Sequence, residues 1–582
     1  MFQKNFLFNF ISKISLKNLF LLNLILITFF LFPILQSGYL GDDAYNSQIK
    51  GRVIQDGINV FNFWLGEVSS WYWNNGRLYP LSFYAYFLFY FVENIFIYKI
   101  FVLFLIFLNT FYFRKIIFYE TQSESLANIS SLFIIIFFQI TPWHNSLLSF
   151  HGLIPMITLF FFISFNHYQI FLMKNIKKNL YFSAFFFLIT LLLYEISYLF
   201  ILIFFFYKFK NKELKKKFLD LKIHIIFLLL CIVLVLIARI KIYITGELFY
   251  PSIEKNFLLK NFLIAIFYQI IGTFPLISSV REIALDIFYF NNIFNFKHII
   301  NILINKFINY KNFIFITDFF FILTYFYILD LLLKKKINYK FKSTTLIIFG
   351  TLLILLPSIV VGVSGHQNEI VKVGPGLAYL PVYLQYYGLC TIFFVFIIQN
   401  IRLFKNIKLR ISFIIFLCLI NYFQLLNSRV LVDNLNIKYK HPADLLEKSL
   451  NSGLLKDLDN NAIILNQVKI PADWIWSLSQ KAKKKLNVCV IDTYKDCFYI
   501  QQLKENNSKN NYEFYPKNFY YLNYNYNHKS ENNKVFIYKI EKIFFNDSKL
   551  ITSITTIQEK YYSQNIKKVS KFENSNRNFI FK

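Results

Sequence analysis

Long apolar runs separated by short polar or basic segments make up most of the first 430 residues. Eleven such runs cover 19–36, 80–92, 95–113, 129–142, 151–172, 181–207, 223–244, 312–333, 344–363, 382–399 and 411–427. A helix of roughly 20 apolar residues spans the hydrocarbon core of a bilayer. The pattern predicts an all-α polytopic membrane protein with about 11–13 transmembrane helices. Residues 246–311 leave the number open, because 259–279 fits a re-entrant or interfacial segment as well as half of an extra hairpin.

The composition excludes a soluble globular protein. Of the 582 residues, 56% are hydrophobic and only 16% are charged, whereas about 25% of the residues of a typical soluble domain are charged. A single soluble core stops growing at roughly 250–300 residues. Apolar sequence of this extent therefore needs a lipid environment.

The basic residues are distributed as they are in membrane proteins. Lys and Arg outnumber Asp and Glu by 62 to 32, which gives a net charge of +30. A nucleic-acid-binding protein would concentrate these charges on one surface, but here they form short clusters between apolar runs, as cytoplasmic loops do. The segments 208–217, 334–342 and Arg402–Arg410 are therefore predicted to be cytoplasmic.

The same clusters predict the orientation of the chain in the cytoplasmic (inner) membrane. Three lysines precede the first apolar run, which reads as an uncleaved span with a cytoplasmic N-terminus: Lys4, Lys13 and Lys17. Eleven spans then place everything after Ser428 outside. Two basic segments, Arg114–Lys115 and Lys174–Lys178, fall on the outer side in this count, against the positive-inside rule.

From about residue 435 the composition becomes that of a soluble domain. Leucines recur at helical spacing after His441-Pro442, and short β-type runs follow at 462–465, 488–491, 498–500 and 535–545. We expect a membrane domain over 1–430, with a first external loop at 37–79. A small external α+β domain is expected over 435–582, which is an ordinary domain size.

Cys489 and Cys497 flank a segment that is predicted to form a strand, a turn and a second strand. A hairpin centred on Thr493 would place them opposite each other, with Cα atoms about 4.5 Å apart, which a disulfide accepts. The compartment outside the membrane is oxidising. A Cys489–Cys497 disulfide is therefore predicted, and two buried, reduced thiols are the alternative.

Common nucleotide and metal motifs are absent from the sequence. It contains no CxxC pair and no HExxH pattern, which are typical of zinc sites and metalloproteases. It also contains neither GxxxxGK[ST] nor GxGxxG. An ATP-driven pump is therefore not indicated.

The first external loop holds the most informative polar residues. Asp42 and Asp43 are adjacent carboxylates a few residues beyond the first span. Because like charges repel, one of the two can take up a proton and serve as a base, and the pair also suits a divalent cation. Asn75-Gly76-Arg77 lies directly before the second apolar run, and the Arg77 guanidinium can bind a phosphate with two hydrogen bonds. A polar loop with an aromatic belt at the membrane interface is the alternative.

This order of features resembles the C-type superfamily of membrane glycosyltransferases, whose donors are polyprenyl-phosphate-linked sugars. Bacterial envelope enzymes of the glucosyltransferase kind are the most similar. The resemblance is architectural over most of the membrane part and residue-level over 38–80. It implies that Asp42 or Asp43 is the catalytic base or a metal ligand. Tyr45, Asn75 and Arg77 of the same loop are predicted to bind substrate.

Four polar residues elsewhere are further candidates for substrate binding. Glu195 lies within the run 181–207, and a carboxylate at the bilayer centre costs at least about 2.5–3.5 kcal/mol, so it needs a partner or a cavity. Arg239 is the candidate partner, in a structural ion pair or in a functional site. His366 and Lys372 lie in the glycine-containing loop 364–381. Backbone freedom next to a cation suits phosphate binding, and a plain flexible loop is the alternative.

The resemblance thus implies transfer of a sugar from a polyprenyl-phosphate-linked donor to a cell-envelope glycan or lipid at the outer face of the membrane. The predicted partners are this donor, the acceptor and membrane lipid, and no nucleic acid; a divalent cation at Asp42 and Asp43 stays open. Two alternatives remain. A lipid or solute transporter would use Glu195 and Arg239 to line a pathway, but two similar halves are not evident. A non-catalytic envelope scaffold would use the external domain to bind a partner.

Overall fold

The structure is a computed structural model of the 582-residue chain. It describes residues 16–141, 145–210, 218–245, 258–277, 304–305, 308, 310–334, 343–364, 371, 380–466, 478, 480, 485–490, 512–515, 517–527, 530, 532–546 and 550–580. The chain forms two compact units. The first, here called the helical unit, comprises Met1–Ser37, Gly66–Tyr84 and Asn94–Asp433. The second, here called the mixed unit, comprises Gly38–Leu65, Ala85–Glu93 and Asn434–Lys582.

Seventeen α-helices are found among the described residues. They are α1 Leu16–Gln36, α2 Asp42–Asn46, α3 Ile49–Asp56, α4 Val60–Asn75, α5 Tyr84–Phe91, α6 Ile95–Thr121, α7 Glu124–Phe137, α8 Leu153–Lys174, α9 Lys177–Leu193, α10 Ile201–Lys210, α11 Lys222–Thr245, α12 Leu259–Ile271, α13 Ile316–Lys334, α14 Ser343–Val363, α15 Val382–Gln399, α16 Ile407–Leu435 and α17 His441–Asn451. The predicted first external loop therefore contains three helices, α2, α3 and α4.

Eight helical segments in the described ranges are long and apolar enough to cross a membrane. They are Leu19–Gln36, Ile95–Thr121, Phe150–Lys174, Lys222–Thr245, Ile316–Lys334, Ser343–Val363, Val382–Gln399 and Ile407–Asn451. Two apolar helices are shorter, α7 and α12. The expectation of a mostly helical, multi-pass membrane protein with a small C-terminal sheet domain is confirmed at this level.

One end of the helical unit gathers basic residues from several helices. Glu120, near the end of α6, accepts hydrogen bonds from Lys210 at the end of α10 and from Gln169 near the end of α8, at 3.0 and 3.2 Å. Arg114 of α6 pairs with Glu124 at the start of α7. Its guanidinium carbon also lies 5.0 Å from the ring centroid of Phe20, near the start of α1. We call this the basic end; it contains both segments, Arg114–Lys115 and Lys174–Lys178, that the eleven-span prediction had placed on the outer side.

The predicted single span 181–207 is two helices that run in opposite directions. α9 is antiparallel to α8, since Ser164 contacts Ser183 and His167 contacts Asn179. α10 is parallel to α8, as paired rings show: Phe161 with Phe200, Phe165 with Phe204, and Phe165 with Tyr207. The chain therefore goes from the basic end to Tyr194 and returns to the basic end at Lys210.

The predicted span 80–92 is also different from expectation. It consists of a short 3₁₀ turn, Pro80–Phe83, followed by α5, which has eight residues. An α-helix rises 1.5 Å per residue, so α5 is about 12 Å long, much less than the roughly 30 Å thickness of the hydrocarbon core. The run 80–92 is therefore too short to form one spanning helix, whereas the run 181–207 forms two helices instead of one.

α13 and α16 are oriented by a contact with α1. Arg429, near the end of α16, forms an ion pair with Asp318 at the start of α13, with an N–O distance of 2.7 Å. Its guanidinium carbon also lies 5.8 Å from the ring centroid of Phe29, which is in the second half of α1. Because α1 starts at the basic end, α13 begins and α16 ends at the opposite end.

The mixed unit contains an eight-stranded sheet packed on α17. The strands are β1 Ile463–Asn466, β2 Asn487–Val490, β3 Tyr512–Phe514, β4 Phe519–Asn525, β5 Lys534–Asn546, β6 Leu550–Ser563, β7 Lys568–Val569 and β8 Glu573–Ile580. The order is β2-β1-β4-β5-β6-β7, with β3 on β5 and β8 on β6. β1 is parallel to β2 and β4, and the other pairs are antiparallel.

The core of the mixed unit lies between α17 and one face of this sheet. Leucines of α17 are buried against inward-facing side chains of β4 and β5: Leu445, Leu446 and Leu450 against Leu522, Val535 and Ile537. Complete burial of such a side chain contributes about 1.5–3 kcal/mol. The leucine periodicity after His441-Pro442 thus correctly predicted α17 and its buried face.

Candidate functional site

The Asn-Gly-Arg segment begins at Asn75, the last residue of α4. Gly76 has φ +60°, a left-handed conformation that glycine adopts without steric cost. A Cβ atom on Gly76 would lie 2.7 Å from Cγ of Arg239, and the Gly76 carbonyl accepts a hydrogen bond of 3.2 Å from Nε of Arg239. Glycine is therefore needed here both for the turn and for the close approach of Arg239.

Arg77 is a mostly buried cation in contact with Glu195. Its Nε–H donates to Oε2 of Glu195 over 3.2 Å, and the two side chains are 13% and 18% exposed. The guanidinium carbon lies 4.6 and 5.3 Å from the ring centroids of Tyr79 and Tyr194, where aromatic rings attract a cation. Burial alone lowers the pKa of Arg77, but the surrounding phenols and carboxylate more than offset this and raise that pKa above its ordinary value.

Glu195 lies where α9 ends and the chain turns back. Tyr194 is extended, and a 3₁₀ helix, Glu195–Phe200, follows it. The hydroxyl of Ser197 donates to the carbonyls of Thr190 and Tyr194 at 3.0 and 2.8 Å, which satisfies groups that the break leaves without helical partners. Non-helical backbone within a membrane is tolerated where protein or a polar cavity surrounds it. The helix break at Tyr194 is therefore compatible with a polar site.

Arg239 approaches the same place from α11. Tyr72 holds α4 to this helix, because its hydroxyl donates to the Leu234 carbonyl at 2.8 Å. Glu195, Arg239 and Arg77 all act electrostatically on Tyr198, so the three charged groups are neighbours. The predicted Glu195–Arg239 ion pair is not what the structure shows. Glu195 pairs with Arg77, and the Nε–H of Arg239 donates to the Gly76 carbonyl.

We call Arg77, Glu195 and Arg239 the arginine cluster. Two guanidinium groups and one carboxylate give a net charge of +1. Among the N–H groups of Arg239, the Nε–H is the one with a hydrogen-bond partner in the described structure. Its terminal N–H groups are left for a ligand. Guanidinium groups bind phosphate with paired hydrogen bonds. The arrangement therefore suits an anion, and phosphate in particular.

Asn75, also predicted to bind substrate, is next to this cluster in the chain. Its side chain is buried, and its Oδ1 atom has no hydrogen-bond partner within the described part of the chain. A buried carbonyl oxygen without a donor costs free energy. Asn75 can therefore accept a hydrogen bond from a ligand.

The acidic pair belongs to the mixed unit. Asp42 and Asp43 are the first two residues of α2, after Gly41, whose φ is +54°. Asp42 is exposed, whereas Asp43 is fully buried. The two adjacent carboxylates thus lie in different environments, and Asp42 is the one that solvent reaches.

Around the acidic pair, other segments of the mixed unit converge. The Gly38 N–H donates to Oδ1 of Asn436 at 3.1 Å, which binds the start of the first loop to the segment after α16. Burial raises the pKa of Tyr39 above its ordinary value, and Asp43, Glu447 and Glu93 raise it further. The three carboxylates, from distant parts of the sequence, are therefore close to Tyr39.

The ring of Tyr45, a predicted substrate-binding residue, contacts the guanidinium group of Arg52. The guanidinium carbon of Arg52 lies 4.9 Å from the Tyr45 ring centroid and 4.7 Å from that of Phe63. Lys50 of the same loop forms an ion pair with Glu93, which follows α5. The loop therefore supplies both cationic and acidic groups.

No group of three or more His, Cys, Asp or Glu side chains able to hold a metal ion occurs in the described ranges. A divalent cation at Asp42 and Asp43 would need further oxygens from substrate or water. His366, Lys372 and Cys497 lie outside the described residues, as does the side chain of Cys489. Lys372 as a phosphate ligand and the disulfide stay predictions.

The sequence reasoning missed three tyrosines of this site. Tyr79 and Tyr194 flank the Arg77 guanidinium, and Tyr198 lies next to the charged groups. The available signal was the sequence Tyr194-Glu195-Ile196-Ser197-Tyr198, in which polar groups interrupt an apolar run. It was interpreted as one continuous span, so the break and its aromatic residues were not recognised.

No known family model matches this chain, and no curated protein sequence matches it. The class that the described part of the chain defines is a multi-pass membrane protein with a cationic, aromatic-lined cluster at a helix break.

Proposed function

We propose that this protein is a membrane glycosyltransferase that takes a sugar from a polyprenyl-phosphate-linked donor, as the resemblance to the C-type superfamily suggests. The observation that carries the proposal is the arginine cluster, in which Arg77 and Arg239 come together beside a break between two helices. A phosphate in a membrane protein needs such cations, because an anion is costly to remove from water.

The position of Arg239 favours a lipid-linked phosphate over a soluble one. α11 is the least buried of the eight candidate spans, with 22% of its apolar window buried. Several apolar side chains around and beyond Arg239 are exposed, including Ile237, Ile240 and Ile244. A polyprenyl chain can lie along this surface while its phosphate contacts the cluster.

The proposed topology has eleven crossings. The basic end is cytoplasmic by the positive-inside rule, and α1 starts there, so the N-terminus is cytoplasmic. α9 and α10 cross once each, α5 does not cross, and the part between α11 and α13 makes no net crossing, since α11 ends and α13 begins away from the basic end. α16 then leaves the membrane on the outer side, and residues after it are external to the inner membrane.

This topology can be tested by reporter fusions. Alkaline phosphatase fused after residue 450 is expected to be active, because that enzyme needs the oxidising outer compartment. A fusion after Lys174 is expected to be inactive, since Lys174 belongs to the basic end; it is the sharper test, because the eleven runs of the sequence placed this residue outside. The reverse activities at these two sites would overturn the arrangement.

In the proposed reaction, Asp42 or Asp43 accepts the proton of the acceptor hydroxyl as it attacks the sugar carbon. Arg77 and Arg239 stabilise the negative charge that grows on the leaving phosphate. Lys372 and His366 keep the role of further phosphate ligands that the sequence indicated.

Removing a cluster cation is expected to weaken lipid phosphate binding. For Arg77→Gln and Arg239→Gln we expect the Kd for farnesyl phosphate to rise on the order of 10- to 100-fold, because a hydrogen bond to a charged group contributes about 1.5–3 kcal/mol. Titration of the detergent-purified full chain, followed by intrinsic fluorescence, measures this. Arg114→Gln is the matched control, since Arg114 pairs with Glu124 at the basic end. Equal effects of all three variants would contradict a phosphate site at the cluster.

A further inference from the structure

Glu195 uses only one of its two carboxylate oxygens. Oε2 accepts the hydrogen bond from Arg77, whereas Oε1 is buried and has no hydrogen-bond partner among the described residues. An ionised carboxylate can accept about four hydrogen bonds and donate none. Leaving one oxygen buried and without a hydrogen bond costs free energy. A donor group of a ligand would remove this cost by donating to Oε1.

The hydroxyl of Tyr198 is in the same condition. It is buried and, within the described ranges, has no hydrogen-bond partner. Glu195 and Tyr198 are three residues apart on the 3₁₀ helix Glu195–Phe200. Side chains at positions i and i+3 of a 3₁₀ helix are eclipsed. The carboxylate and the phenol therefore lie on one face of this short helix, next to Arg77 and Arg239.

The ligand group that faces these atoms must be able to donate. A phosphate at neutral pH offers acceptors and carries negative charge, so it is attracted by the guanidinium groups and repelled by Oε1 of Glu195. A hydroxyl donates to the carboxylate and can also accept from or donate to the phenol. Two neighbouring hydroxyls match Oε1 and the Tyr198 hydroxyl.

We propose that Glu195 and Tyr198 bind hydroxyl groups of the sugar that is attached to the phosphate held by Arg77 and Arg239. The inference rests on the proposed function and deepens it, because it makes the phosphate-linked sugar, and not the lipid phosphate alone, the ligand of the cluster. In this proposal Oε2 of Glu195 accepts the hydrogen bond from Arg77, and Oε1 accepts a hydrogen bond from a sugar hydroxyl. A site built to bond a hydroxyl discriminates strongly against analogues that lack it, since its buried polar groups are then unpaired.

Two lipid probes separate the phosphate from the sugar. Farnesyl phosphate carries only the phosphate, and farnesyl phosphoryl hexoses (glucosyl, galactosyl and mannosyl) carry both groups. For the wild-type full chain in detergent we expect at least one hexose conjugate to bind more tightly than farnesyl phosphate. Tyr198→Phe is expected to weaken binding of that conjugate by roughly 3- to 10-fold and to leave the Kd of farnesyl phosphate unchanged.

Tyr72→Phe is the matched control, because its hydroxyl bonds to the Leu234 carbonyl and not to the cluster; it is expected to affect both probes equally. Glu195→Gln is expected to weaken the hexose conjugate more than farnesyl phosphate. Equal weakening of both probes by Tyr198→Phe, or no preference for any hexose conjugate in the wild type, would overturn the sugar site while leaving the phosphate site intact. Binding of neither probe to the wild type would instead overturn the proposed function itself.

Discussion

The variant Asp42→Asn is expected to lose sugar transfer by about 10²- to 10⁴-fold, which is the usual contribution of a general base. Asparagine keeps the size and hydrogen-bonding capacity of aspartate but cannot take up the proton of the acceptor hydroxyl. Because Asp42 is exposed, the replacement leaves packing unchanged, and the protein should remain inserted and abundant. Transfer of radiolabelled sugar in membrane vesicles, normalised to the amount of protein, measures the loss.

Asp43→Asn is the informative companion, because Asp43 is buried near Tyr39. If Asp43 is the base, its variant shows the larger loss at normal abundance; if it only orders the loop, protein abundance falls together with activity. Asp56→Asn is the matched control, since Asp56 is an exposed acid of the same loop, at the end of α3. Normal transfer by both Asp42→Asn and Asp43→Asn would show that this loop does not carry the chemistry.

The membrane-embedded fold was largely predictable, and its two errors have one cause. Length and hydropathy identify an apolar segment but not its direction, so 80–92 and 181–207 both read as single spans. In the structure the first contains a short 3₁₀ turn and the eight residues of α5, and the second reverses at Tyr194. At the reversal, Glu195 pairs with Arg77, which is far away in the sequence. A contact of that kind has no local signature.

The sheet shows the same limit in a different form. The apolar runs 462–465, 488–491 and 535–545 correspond to β1, β2 and β5. β6 and β8 were not predicted, because they are rich in Ser, Thr, Asn and charged residues and have no apolar run. They form because β5 offers a long partner with twelve paired residues for β6, and β6 in turn pairs with β8. Cross-strand pairing, not local preference, decides such strands.

The residues of the candidate site were predictable from the sequence, but the contacts between them were not. Arg77, Glu195 and Arg239 were each singled out from the sequence, because charged groups are rare next to apolar runs and need partners. The sequence did not indicate that Glu195 pairs with Arg77. It also did not indicate that Arg239 contacts the Gly76 carbonyl, a close approach that the missing Cβ of Gly76 allows. Both contacts join residues that are far apart in the sequence.

The ion pair between Asp318 and Arg429 is where we expect the largest effect on stability. Both carboxylate oxygens are bound by the two terminal nitrogens of Arg429, at 2.7 and 2.8 Å. The Phe315 N–H also donates to Asp318, and Arg429 donates to the Phe313 carbonyl. The side chains are only 3% and 8% exposed. These contacts join the end of α16 to α13 and the residues directly before it.

Removing one partner leaves the other as an uncompensated buried charge, which costs about 3–5 kcal/mol. Arg429→Leu and Asp318→Leu are therefore each expected to lower the thermal midpoint of the detergent-purified protein severely. Replacing both residues by Leu is expected to recover most of the loss, because a buried ion pair replaced by apolar side chains is often nearly neutral. Glu124→Gln, which breaks the more exposed Arg114–Glu124 pair, should cost at most about 1 kcal/mol. The interpretation fails if the single Leu variants are no less stable than this control, or if the double variant is as unstable as the sum of the two.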